Sequence, residues 1–240
     1  AGIGYLAGKL LHIEPKALSK VVFYVFSPSL IFNLLITSQL NNDDIFRMMG
    51  FAATQFFLMG FIAWVAGRIF KLERKLFVAV ILVAISVNAG NYGMSLNLFA
   101  FGEEALAYAG LYFTTAAILT YTVGVTIASM GSKNLGQSLA QLIKIPTVYA
   151  VVLAIIFNLT GWVLPTPFER SVSILAGAAI PGMIVLLGLQ LQHNQRSWNL
   201  GALGLATGLR LLGGATLAIT TAGIFGLQGM AYNAGIIEAS

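Results

Sequence analysis

The stretch Asn88-Ala-Gly-Asn-Tyr-Gly-Met-Ser95 holds the densest chemistry in the sequence. It falls in the middle of a long apolar run. Asn and Gly are poor helix formers, so this cluster predicts a local unwinding of a helix at bilayer depth. Lipid cannot satisfy the freed backbone N–H and C=O groups, and such a break survives only where it faces protein or a watery cavity. There, half-helix ends and Asn amides can hold a polar or anionic molecule. The candidate substrate-binding residues are therefore Asn88, Gly90, Asn91, Gly93 and Ser95. The same cluster also fits tight helix packing, with glycines for close approach and asparagines bonding across helices.

Two charges fall outside the loops. Arg210 lies about ten residues into its apolar run and Glu238 about ten into the next. At 1.5 Å per residue both reach roughly 15 Å deep. Unpaired charge is costly there, which predicts a mutual Arg210–Glu238 pair. As functional groups, Arg210 would attract an anion and Glu238 would carry a proton or meet a cation, so both join the candidate site. Pro28 and Pro181 lie inside apolar runs and predict helix kinks. Asn33 and Gln190, further along the same runs, can turn a polar group inward or bond a neighbouring helix. No P-loop, His-Glu-x-x-His or Gly-x-Ser-x-Gly motif is present. No catalytic residue, metal ligand set or cofactor is expected, and His12 and His193 both fall in predicted loops.

The elements that carry these residues follow from hydropathy. Of 240 residues, 58% are hydrophobic and only 9% charged, against roughly 25% charged in ordinary soluble domains. The apolar runs are continuous and long enough for a helix to cross a bilayer, about 20 residues each, without the alternation of an outer-membrane barrel. The fold class expected is an all-α integral membrane protein, which excludes a soluble enzyme. There is no cysteine and hence no disulfide.

Nine segments emerge, the first and last incomplete: Ala1 to about Leu11, Leu18 to Ser38, Ile45 to Phe70, Leu76 to Phe101, Ala105 to Met130, Ile145 to Val163, Val172 to Leu191, Leu200 to Phe225, and Gln228 to Ser240. The opening and closing residues lie inside apolar runs, so the chain reads as a fragment. Trp64, Trp162 and Trp198 fall near segment ends, as interfacial anchors do.

Loops after odd segments hold Lys9, Lys16, Lys20, Arg68, Lys71, Arg74, Lys75, Lys133, Lys144 and Arg196. Even loops hold only the basic residues Arg47 and Arg170, with the acids Asp43, Asp44, Glu103, Glu104 and Glu169. The positive-inside rule then places the odd loops in the cytoplasm and the N-terminus outside, in a multi-pass protein of the inner or plasma membrane. The net charge of +5 follows from this topology rather than from nucleic-acid binding.

The hydrophilic stretch 131–144 divides the chain. Placing Pro28 on Pro181 aligns residues 26–31 with 179–184, Gln39 with Gln192, Asn41 with Asn194 and Gly60 with Gly213. Five helices separate equivalent positions, and an odd number inverts direction. The organisation expected is a first inverted repeat over 1–130, a cytoplasmic linker over 131–144, and a second repeat over 145–240 with helices 6–9. Asn88 maps just past Ser240, so a partner break in segment 9 would begin there.

These residues also carry a family resemblance. Gly4-Tyr5-Leu6, Leu18 to Tyr24 running into Ser27-Pro28-Ser29-Leu30, Asn88 to Gly93 with Leu98 to Glu104, and Ala179-Ile180-Pro181 with Leu186 to Leu191 resemble the auxin efflux carrier family. That family includes PIN-type carriers and bacterial malonate-type permeases, and the likeness spans the chain. It implies ten helices in two inverted five-helix repeats, broken helices 4 and 9, and a substrate site at their crossing. Asn88 and Asn91 would contact substrate. The family pattern has a proline near the crossing where this chain has Ser95; Gly90 and Gly93 supply flexibility instead. A tenth helix lies outside the sequence on this reading, and the chain alone is not expected to transport.

The function expected is secondary transport of a small organic anion, such as an auxin-like acid or a dicarboxylate, by alternating access. A sodium-coupled symporter of the bile-acid type, or a non-transporting receptor or channel component, are the alternatives. Expected partners are the organic anion, the lipid bilayer and a proton or sodium ion, with a homodimer as an open alternative and no nucleic acid.

Overall fold

The computed structural model describes residues 1–37, 40, 42–128, 145–192 and 200–240. The linker 131–144 lies outside them, as do His193, Gln39, Asn41 and Asn194 of the repeat alignment, and Lys133, Lys144, Arg196 and Trp198. Among the described residues the fold is all helical. The helices are α1 (Gly2–Leu11), α2 (Pro15–Thr37), α3 (Asn42–Ile69), α4 (Arg74–Phe101), α5 (Glu103–Ala128), α6 (Pro146–Thr160), α7 (Thr166–Gln192), α8 (Leu200–Ala222) and α9 (Gly229–Ala239). Each falls within a hydrophobic segment or within a few residues of one. Six of them, α2, α3, α4, α5, α7 and α8, are long and apolar enough to span a membrane.

The surface is what a lipid-embedded bundle requires. Phe46, Phe57, Phe61, Ile69, Phe99, Ile174 and Leu212 point outward and are exposed. The interior uses small residues: Ala63, Ala84, Ala109, Ala154, Ala179, Ala218, Ala222 and Ala234 are all fully buried. In lipid, helices gain little from burying large side chains and associate instead through close packing. α1 on α7 is the tightest case. A Cβ at Gly4 would overlap the Val185 carbonyl, and one at Gly188 would overlap the Ala1 carbonyl, so the two backbones nearly touch.

α1 packs on α7, α6 packs on α2, and α2 and α7 pack on each other. Asn158 of α6 donates to the Leu35 carbonyl of α2 at 3.1 Å. On the other side α3 lies against α4 and α5, α9 against α5, and α8 against α3, α4 and α9. The buried pair Gln55–Thr221 ties α3 to α8.

Four of these helices carry a π turn, in α2 (Val22–Phe26), α4 (Ala89–Met94), α5 (Thr120–Gly124) and α8 (Leu209–Gly213). The one in α2 answers Pro28, which has no N–H to give the carbonyl of Tyr24. The turn widens just before the proline, with Ser27 N–H donating to the Val22 carbonyl. Ser29 Oγ donates to the Val25 carbonyl at 2.8 Å. At Pro28, one of the two expected kinks, the helix passes through this widened turn. Pro181, the other expected kink, lies inside α7, which runs as α-helix on both sides of it.

Candidate functional site

The apolar run of α4 is interrupted, and the interruption begins upstream of the amides. α-Helix ends at Ile85, Ser86 is extended (φ −92°, ψ 106°), and Asn88 departs from helical geometry (φ −82°, ψ 51°). Helix resumes as the π turn from Ala89 to Met94, with the N–H groups of Tyr92 and Gly93 both donating to the Asn88 carbonyl. Ser95 opens the last α-helical stretch. The unwound residues are thus 86–88, and Asn88 sits at their end rather than at their start.

Asn88, Gly90 and Asn91 line one small cavity of about 160 Å³. Its other walls are Ser19, Val22, Phe23 and Ser27 of α2, Phe113 of α5, and Met183 and Leu186 of α7. Asn91 Nδ2 lies 3.4 Å from Gln190 Oε1 of α7, so α7 reaches toward the break. Ser95 takes no part: it is only 6% exposed, and its hydroxyl donates back to the Asn91 carbonyl at 3.2 Å.

A second, larger cavity of about 620 Å³ lies along the same four helices toward the acidic end of the bundle. It is lined mainly by apolar residues, with Asn33 and Thr37 of α2, Glu103 and Ser173 as polar contributions. Pro181 also lines it, together with Gly177, whose carbonyl has no N–H four residues on because that residue is the proline. Between the two cavities Met94 is fully buried in a cluster with Leu30, Ile180 and Met183.

Gly93, Arg210 and Glu238 sit elsewhere, on the side of α4 that meets α8 and α9. The expected Arg210–Glu238 carboxylate pair is not how the guanidinium is used. Its Nη1 donates to the Ala84 carbonyl at 3.2 Å and its Nη2 to the main-chain carbonyl of Glu238 at 3.1 Å. The reason is local. Unwinding of 86–88 takes away the N–H that would meet the Ala84 carbonyl, and a cation suits the negative end of a helix. Arg210 rides on the π turn of α8, with the Tyr112 phenol facing it.

The carboxyl of Glu238 instead packs on Gly93, where a Cβ would lie 2.6 Å from both Cδ and Oε1. Asn97 Nδ2 donates to Glu238 Oε1 and to the Gly93 carbonyl, both at 3.1 Å. Sequence reasoning missed Asn97. Its signal was available: an amide in an apolar helix, four residues after Gly93 and so on the same face.

The family model described as "Membrane transport protein" matches residues 1–138 and 130–240, which covers the whole chain. The chain belongs to the membrane transport protein family. Among similar proteins, an uncharacterized transporter of Methanothermobacter thermautotrophicus is 27% identical over 243 residues, covering 99% of this chain and 80% of that protein. An uncharacterized transporter of Methanocaldococcus jannaschii is 28% identical over 253 residues, with the same coverage of each. In this membrane transport protein, then, polar groups divide between two faces of one broken helix. Asn88, Gly90 and Asn91 face α2 and α7, and Gly93 and Asn97 face α9.

Proposed function

We propose that this protein is a secondary carrier for small organic anions, such as auxin-like acids or dicarboxylates, that works by alternating access around the break in α4. The observation that carries the reading is the cavity where Asn88, Gly90 and Asn91 of an interrupted helix meet α2 and α7. Asn amides and freed N–H groups supply donors for a carboxylate without a fixed positive charge. Two cavities lie at different depths along one interface, with the Leu30–Met94–Ile180–Met183 cluster between them. Such a closed cluster is what an alternating gate requires.

The inverted-repeat organisation draws support from packing. α1 lies on α7 while α6 lies on α2, so equivalent segments exchange partners. The charge distribution supports an outside N-terminus: Asp44, Glu103 and Glu104 gather around one cavity mouth, and Arg68, Lys71 and Arg74 around another.

The test is counterflow of labelled malonate or indoleacetate into liposomes holding the full-length protein. Asn91→Ala is expected to abolish uptake with no loss of folded protein. Unchanged uptake in that variant would remove the site from Asn91.

A further inference from the structure

The face of α4 that meets α9 holds a group that anion binding does not use. Glu238 is 0% exposed, and so is Asn97. Glu238 Oε1 accepts from Asn97, while Glu238 Oε2 and Asn97 Oδ1 are both buried without a hydrogen-bond partner. Two orphaned acceptors on a hydrogen-bonded pair of side chains, one of them on a carboxyl, ask for something positive. The guanidinium that might neutralise the carboxyl spends two of its donors on the main-chain carbonyls of Ala84 and Glu238.

The groups acting on the carboxyl come from every neighbouring helix. α8 supplies Arg210 and α5 supplies Tyr112. α4 supplies the neutral Asn97 and Gly93, and α3 presents Phe51 to the adjacent Gly235. A metal cation would need a shell of several oxygens. Here the carboxyl lies directly on the Gly93 backbone, in space that any β-carbon would fill. A proton needs no shell.

We infer that Glu238 is the carrier's coupling site and that the coupling ion is a proton, bound at Oε2 in the pocket formed by Gly93 and Asn97. The inference rests on the carrier reading above. One proton enters from the outer solution when the carboxylate is exposed to it, converts the carboxylate to the neutral acid, and leaves to the opposite side after the α4–α9 crossing has changed access. The neutral acid removes the cost of a buried charge. Oε2, a buried acceptor without a partner, becomes a hydroxyl. Anion and proton occupy opposite faces of one helix break, so that one movement of α4 changes access to both.

The experiment uses full-length protein in liposomes with malonate or indoleacetate as probe, under an imposed pH gradient and, separately, an imposed sodium gradient. The expected result is accumulation that follows the pH gradient and ignores sodium. In Glu238→Gln, accumulation is expected to fall to the level reached without a gradient, while anion exchange remains measurable and no longer responds to pH. Gradient-driven accumulation in Glu238→Gln, or wild-type accumulation driven by sodium at constant pH, would overturn the proton assignment. Should Glu238→Gln not fold, Asn97→Ala leaves the acid in place but removes the donor that favours its charged form. Its pH profile for accumulation is expected to move to higher pH, and an unmoved profile would overturn the inference. Absence of exchange by the wild-type protein with any organic anion would instead strike the carrier reading itself.

Discussion

Replacing Arg210 by Met keeps the aliphatic stem and removes the donors, and it separates a structural role from a ligand-binding one. Arg210 holds two main-chain carbonyls, those of Ala84 and Glu238, at 3.2 and 3.1 Å. In soluble proteins a hydrogen bond involving a charged group is worth about 1.5–3 kcal/mol. Within membranes the measured average is about 0.6 and the maximum about 1.7 kcal/mol per bond. Two bonds therefore amount to about 1–3.5 kcal/mol. At about 2–4 °C per kcal/mol for a chain of this size, a loss near 2 kcal/mol lowers the melting temperature by about 4–8 °C. The assay is thermal unfolding in detergent, followed by far-UV circular dichroism and tryptophan fluorescence. Arg210→Lys is expected to recover about half the loss, because an ammonium lacks the planar fork that spans two acceptors. A melting point unmoved in Arg210→Met, together with anion affinity weakened by about tenfold, would refute the reasoning. The guanidinium would then serve the anion, as the sequence alone had suggested.

Further outcomes test the packing and the topology. Gly4→Val places a branched side chain against the Val185 carbonyl and is expected to destabilise the α1–α7 contact by about 1–3 kcal/mol or more, read as faster proteolysis of the amino-terminal helix. Gln55→Leu removes the donor to Thr221 Oγ1, which keeps its own bond to the Leu217 carbonyl, and is expected to cost about 0.5–1.5 kcal/mol in the same melting assay. The sequence has no cysteine, so single cysteines report membrane sidedness directly. Glu169→Cys should react with a membrane-impermeant maleimide added outside intact cells, and Lys71→Cys only after the membrane is opened; the opposite pattern would invert the topology.

The helices were readable because length and continuous hydropathy decide them in lipid. The Asn88–Gly93 cluster likewise announced a break, since amides and glycines are poor helix formers wherever they stand. Its boundary was not readable. Ser86, Val87 and Asn88 are the residues that leave the helix, and the first two are not strong breakers; Asn91 downstream settles into a π turn instead. Arg210 and Glu238 were recognisable by depth, but their partners were not. The carbonyl that Arg210 meets becomes available only once residues 86–88 unwind, a fact of geometry rather than of residue type. Pro181 could be read from its type, but the use of the carbonyl it frees could not: Gly177, the position that loses its donor, lies beside a cavity. Asn97 was passed over because one amide in an apolar helix has many ordinary uses, and only the approach of α9 gives it a particular one.

A single side chain on α8 grips the backbone of α4 at Ala84 and of α9 at Glu238. It works like a rivet through three plates. Sliding any one of these helices alone would tear main-chain contacts that lipid cannot replace. On the carrier reading proposed above, the displacement would shift α4, α8 and α9 as one block, with its slip plane along the seam that α4 shares with α2 and α7.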